Sequence, residues 1–254
     1  MVRQFKSIIY SWFNKERKVP VKIDLSKLDL IKMNKSKLLD LDFLENNLIL
    51  NLGLNNEILH EFPTHLYPYC GQGLYVWQYP NQLSIYLKFI SQFKIQSYLE
   101  IGVRHGGMFL LTKTYLETIN SNKVYCLGVD IEKNKILKKN AKSIGYDYYV
   151  KSSSSHYFKR KIKDISFDLA LIDGDHSFEA CLNDFELIKD KTNIIVFHDV
   201  ISDVCPGVVK IWETVKKDIR FQTFEMINQY EEVTIREGRK YLGIGVAVKK
   251  EFIN

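Results

Sequence analysis

Cysteine is scarce and scattered: Cys70, Cys126, Cys181 and Cys205 are the four in the chain, and no two have the close spacing of a zinc knuckle or a redox pair. No disulfide framework is suggested, and a reducing cytoplasm is the expected compartment. Long apolar runs are missing too. No stretch approaches membrane-spanning length, and the apolar part of the N-terminus is too short and too interrupted by polar residues to read as a secretory signal. The main body also lacks excess basic charge. The net charge is +6, but residues 1–37 hold ten Lys or Arg against three Asp or Glu, so residues 38–254 together carry −1. A nucleic-acid enzyme spreads basic residues through its main domain, so nucleic acid is not expected as a partner.

What is present fits one large domain, or one domain with an appendage: 254 residues, 46% hydrophobic and 26% charged. Val2 to Phe13 reads as a short amphipathic helix, with Phe5, Ile8, Ile9, Trp12 and Phe13 on one side. It could dock on the main domain or a second subunit, and residues 2–18 also suit peripheral contact with an anionic membrane. Residues 19–63 show no repeat and no glycine-rich linker, and predict short helices and loops acting as a lid or interface. Residues 1–72 are accordingly read as a helical N-terminal extension and 73–254 as the main domain. Between Pro63 and Pro80 lies a turn-rich aromatic segment of the kind that lines pockets. A helix is expected from Asn81 to Phe93.

From Gln96 onward the alternation is regular. Apolar runs predict strands at 96–102, 124–131, 146–151, 167–173, 193–198, 221–227 and 242–249. Helices fall near 107–119, 133–143, 155–163, 177–189 and 207–217. Five βα units make an α/β doubly wound sheet, and the last two strands, with only a loop at 229–241 between them, should form an antiparallel edge hairpin.

The first strand runs into Leu99-Glu100-Ile101-Gly102-Val103-Arg104-His105-Gly106-Gly107. Gly102 and Gly106 permit positive φ and close backbone approach, and the helix that follows offers free N–H groups. The second strand ends in Asp130, an acid suited to a ribose diol. Ligands of such sheets bind at the carboxyl ends of the strands. There the fourth strand supplies Asp173-Gly174-Asp175-His176 and the fifth His198-Asp199. Asp173, His198 and Asp199 could hold a divalent cation, with Asp175 or His176 taking a proton.

These motifs resemble the class I S-adenosylmethionine (SAM) dependent methyltransferases, in the branch related to cephalosporin hydroxylase-like proteins and the macrocin and novobiocin sugar O-methyltransferases. The matching residues are Leu99-Glu100-Ile101-Gly102, Gly106-Gly107, Val129-Asp130, Ile172 to Glu179 and Phe197-His198-Asp199. The resemblance implies a seven-stranded, mostly parallel, Rossmann-like sheet that binds SAM through Gln78, Glu100, Gly102, Val103, Gly106, Asp130, Ser152, Ser153 and Asp173. It implies Mg2+ or another divalent cation on Asp173, His198 and Asp199, and catalysis by Asp175 with His176 beside it. His198 departs from the sugar enzymes, which carry an acid there. The implied reaction is O-methylation of a sugar, a glycoconjugate precursor or a small polar metabolite, by a chain that could be a homo-oligomer. Two rivals stand beside it: a SAM-binding subunit or scaffold without chemistry, and a nicotinamide oxidoreductase, which Glu100 and the glycine spacing disfavour.

Overall fold

The computed structural model describes residues 21–253, so the expected helix at 2–13 and the membrane contact of residues 2–18 lie outside the described residues. Seven strands form one sheet in the order β3-β2-β1-β4-β5-β7-β6: β1 (Ser97–Ile101), β2 (Tyr125–Asp130), β3 (Asp147–Val150), β4 (Phe167–Ile172), β5 (Thr192–His198), β6 (Phe221–Met226) and β7 (Ile244–Lys249). β1 to β5 run parallel, while β7 lies antiparallel between β5 and β6. The doubly wound sheet with an antiparallel edge pair is as expected. The predicted strands fall within a residue or two; β1, β2, β4, β5 and β7 are mostly buried runs covered on both faces, while the edge strands β3 and β6 are partly exposed.

Side chains alternate between those faces. Tyr98, Leu169, Leu171, Ile194, Val196 and Val246 join the core that also takes in the N-terminal segments. Leu99, Ile101, Ala170, Ile172, Ile195 and Phe197 join the other. The first face is covered by α1 (Pro80–Ile90) and α2 (Gly107–Asn120). α1 has Pro at its start, where no N–H is needed, and buries Leu83, Leu87 and Ile90. After β2 comes α3 (Lys135–Ile144), capped by the Asn134 side chain, and after β3 comes α4 (His156–Lys161), capped by Ser155. The second face is covered by α5 (Phe178–Ile188) and α6 (Pro206–Val215). On α6, Trp212 is fully buried, with its ring 5.7 Å from Phe197.

Two local expectations are corrected. The connection between β6 and β7 is not only loop: it contains α7 (Glu231–Glu237), which Gly238 ends at φ 62°. The helix expected near 207–217 starts one residue earlier, at Pro206, as α6 with Cys205 at its N-cap.

Residues 21–79 are tied to this sheet by packing. Asp24 caps a helical turn, and Leu28 and Ile31 are buried in the run Leu28–Met33. A second helical run from Leu41 to Leu52 contains a π-turn at Leu44–Leu48 and stops at Gly53, φ 92°. Leu54 then bridges to Cys70 and Val76. The N–H of Asn55 bonds the Val76 carbonyl at 2.9 Å, which fixes the aromatic segment beside the strand ends. Among the described residues no helix is long and apolar enough to cross a membrane.

Candidate active site

Gly102 is where three strand ends meet. Its N–H bonds the Val129 carbonyl at 2.9 Å, and the Asp173 N–H bonds Ile101 at 2.8 Å. At φ +90°, a Cβ on Gly102 would lie 2.0 Å from the Asp173 carbonyl oxygen, so no side chain fits. Gly106, also at φ +90°, starts α2 and lies against Leu137. Val103 is buried between them. The turn is fastened to β2 by Asp130, whose two oxygens accept the N–H groups of Arg104 (2.6 Å) and Glu132 (2.7 Å).

The outer side of the turn is held by a residue that sequence reasoning missed. Glu57 accepts from Arg104 and from His105, the latter at 2.9 Å, while the Arg104 guanidinium lies 4.7 Å from the centre of the Trp77 ring. The His105 bond, opposed by burial and reinforced by the charge of Arg104, brings the Glu57 carboxyl down to about 2.

Glu100 was expected among the SAM-binding residues. The structure turns it into the core at 1% exposure, where it accepts the Tyr98 hydroxyl. Burial pushes its carboxyl well above the ordinary carboxylate range.

At the ends of β4 and β5 four atoms form a closed ring in which imidazole nitrogens alternate with carboxylate oxygens. His198 Nδ1 lies 3.5 Å from Asp173 Oδ1 and 3.3 Å from Asp199 Oδ2. His176 Nε2 lies 3.3 Å from the same Asp173 oxygen and 3.6 Å from the same Asp199 oxygen. Each ring has its other nitrogen engaged: His198 Nε2 donates to the Trp77 carbonyl at 3.0 Å, and His176 Nδ1 meets Cys205 Sγ at 3.2 Å. His198 and Asp199 are buried, and Asp199 holds φ +63°, a strained value for a residue with a side chain. Burial alone would lower both imidazoles. In His198 the charges of Asp173 and Asp199 outweigh it and raise the ring to about 9. In His176 bonds to Asp173 and Cys205, with both carboxylate charges, raise it to about 11.

Asp175 stands outside the ring, exposed, with one oxygen accepting the Ser177 N–H at 2.8 Å. Ser153 donates to Asp184 at 2.6 Å, and the Ser152 hydroxyl lies 2.7 Å from that of Ser154. Gln78 is buried beside Trp77. Its Oε1 takes the Tyr79 N–H at 2.7 Å, and its Nε2 has no partner. Sequence reasoning also missed Glu61, a buried acid whose Oε2 takes the Trp77 indole N–H at 3.1 Å. Burial chiefly, and the Asp199 charge after it, raise the Glu61 carboxyl to about 7.

A family model described as a methyltransferase domain matches residues 99–200, from β1 to just past β5, and this part of the chain is a methyltransferase domain. No curated protein matches the sequence. Among solved structures the chain is similar to the O-methyltransferase TomG of Streptomyces achromogenes, involved in tomaymycin synthesis and solved with SAM. The two are 12% identical over 91% of this chain and 92% of that one, with a TM-score of 0.50. The O-methyltransferase of Bacillus cereus, solved with S-adenosylhomocysteine (SAH), is 15% identical over 91% and 94%, with a TM-score of 0.49. MycE of the mycinamycin pathway, solved with Mg, SAH and mycinamycin VI, is 14% identical over 65% and 48%, with a TM-score of 0.44. At 12% identity the likeness to TomG shows the fold alone.

Proposed function

We propose that the protein is a SAM-dependent O-methyltransferase acting on a hydroxyl of a sugar, a glycoconjugate precursor or a small polar metabolite, with help from a divalent cation. The observation that carries this reading is the juxtaposition, inside a methyltransferase domain, of the Gly102–Gly106 turn with the ring of Asp173, His176, His198 and Asp199. SAM would lie over the turn, with Val103 beneath it. Asp130 would add the ribose hydroxyls to the two amides it already accepts. Gln78 has a buried donor free for the methionyl carboxylate, and Ser152 with Ser153 would take the adenine end.

Asp173, His198 and Asp199 fit a cation. His198 Nδ1 is buried with no hydrogen-bond partner, 3.5 and 3.3 Å from two carboxylate oxygens, and a cation there would lie between donors of the kind it takes. When bound, such an ion lowers the pKa of the acceptor hydroxyl and steadies the oxyanion. The acceptor oxygen attacks the methyl carbon in line, the carbon–sulfur bond breaks with its electron pair going to sulfur, and SAH leaves. Asp175 takes the hydroxyl proton, since it is exposed at the rim, whereas both ring nitrogens of His176 are already engaged.

Calorimetry with SAH, followed by transfer of labelled methyl from SAM to a panel of sugars and small polyols, tests the reading. Heat on adding SAH and label in a hydroxylated acceptor are expected. Absence of SAH binding would sink it, and tight SAH binding with no transfer to any acceptor would favour a scaffold.

A further inference from the structure

We propose that the β3 edge of the sheet, with α3 on one side of it and α4 on the other, is a docking surface for an anionic lipid bilayer. The inference goes beyond the methyl-transfer reading and does not depend on which acceptor is used.

The first ground is where the charge lies. Between Glu132 and Asp164 the chain holds nine Lys and one Arg against a single acid, Asp147, a net of +9, while the rest of residues 38–254 carries −10. All ten basic residues are exposed, and among the described residues none of them pairs with a carboxylate. The topology gathers them at one edge. β3 pairs only with β2, while α3 buries Leu137 in the first core and α4 buries Phe158 in the second, so the helices flank β3 from opposite faces. A body charged in this way turns its basic edge toward an anionic surface and its acidic remainder away.

The second ground is the stripe on α3. Lys135, Lys138, Lys139 and Lys142 fall at i, i+3, i+4 and i+7, on the side away from buried Leu137. α3 contains no acid to pair with them, so these neighbours repel one another. Lys135 also stands at the helix N-terminus, where the macrodipole disfavours a cation. A layer of lipid phosphates against the stripe would offset both penalties.

The third ground separates a bilayer from a nucleic acid. Nine Lys to one Arg suits diffuse attraction to a charged plane, whereas the bidentate grip on phosphate in a nucleic-acid site uses Arg. Tyrosines stand among the lysines: Tyr157 on α4 is 49% exposed with Lys151 Nζ 6.0 Å from its ring centre, and Lys161 Nζ lies 5.8 Å from that of Tyr149 on β3. Tyr beside Lys is the composition that settles at the headgroup layer. The sequence of residues 2–18, aromatic and basic, supplies a second signal of the same kind, and stable attachment takes two.

The test is cosedimentation of the full chain with vesicles of phosphatidylcholine, alone or with about 30% phosphatidylglycerol, at about 0.1 M and about 0.5 M NaCl. Binding to the anionic vesicles alone, lost at the higher salt, is expected. The triple variant Lys138→Gln, Lys139→Gln, Lys142→Gln should bind roughly tenfold or more weakly, since each lysine at such a surface is worth roughly fivefold. Lys159→Gln with Arg160→Gln should weaken binding roughly fivefold or more. A control triple, Lys94→Gln, Lys217→Gln, Lys250→Gln, removes the same charge from exposed positions outside this edge and should stay within about twofold of the wild type. Thermal melts identify any variant that has not folded. The proposal fails if the anionic vesicles do not bind the chain, or if the folded α3 variant binds like the wild type, which would leave attachment to residues 2–18. It also fails if the two triple variants lose binding equally, which would make net charge and not this edge the cause. Duplex RNA that strips the chain from the vesicles at equimolar concentration would assign the edge to nucleic acid instead.

Discussion

His198 donates from Nε2 to the carbonyl oxygen of Trp77 at 3.0 Å, across 121 positions of sequence, and thereby joins the end of β5 to the aromatic segment ahead of the methyltransferase domain. Trp77 also gives its indole N–H to Glu61 and its ring face to Arg104. One residue thus touches the acidic rim, a buried acid and the glycine turn.

Glu61 gives this junction a pH dependence. Its carboxyl titrates near 7 in the fold against an ordinary 4.5, so between those values the folded chain holds a proton that the unfolded chain has lost. Stability therefore falls as pH rises from about 4.5 to about 7, and levels off above that. Glu61→Gln should flatten this part of the curve and, at pH 8, restore up to about 2–3 kcal/mol. Urea unfolding of chelator-treated protein at several pH values measures it, and parallel curves for the two proteins would refute it.

Glu57 works in the opposite sense. With a folded value of about 2 against 4.5, its contribution is fully present above about pH 4.5 and drains away as pH falls toward 2. Glu57→Gln should remove about 1 kcal/mol or less at neutral pH, because Arg104 is half exposed and solvent screens the pair. It should also weaken SAH binding several-fold by loosening the turn. Acid-unfolding midpoints and calorimetry check the two effects separately.

Gly102→Ala places a methyl group 2.0 Å from the Asp173 carbonyl oxygen, at a φ that side chains rarely adopt. Displacing the end of β4 should cost roughly 3 kcal/mol or more and remove measurable SAH binding. A thermal melt within a degree of the wild type would contradict the geometry.

Asp175→Asn removes the proposed proton acceptor and leaves the turn untouched. The expected outcome is a kcat lower by roughly 10²–10³, with SAH affinity within about twofold of the wild type. If kcat holds and KM rises instead, Asp175 binds acceptor and does not move its proton.

Much of this was legible in the sequence. The strands declared themselves through runs such as Leu169 to Ile172 and Ile194 to Phe197, since a strand covered on both faces has nowhere to put a polar residue. The rim was legible for a related reason: Asp173, His176, His198 and Asp199 follow those runs directly, so placing the strands brought the residues together. α7 escaped because it is short and buries only Val233, too little for a helical period to show. Glu57 and Glu61 escaped because they lie in irregular chain, and their partners stand 16 to 48 positions away. Trp77 was noticed for its ring, but its reach to His198 uses a backbone carbonyl, which every residue possesses.

Because β7 is wedged between β5 and β6, the order of synthesis differs from the order of assembly. β6 has no neighbour in the sheet other than β7, and the far side of β5 is closed by β7 alone. Until Ile244–Lys249 leave the ribosome, the nascent chain carries a bare apolar edge at Ile194–Phe197 and a finished β6 with nothing to zip onto. A stop codon shortly before Ile244 would therefore do more than trim a tail: it would leave the strand bearing His198 bare along one edge and the product prone to clump.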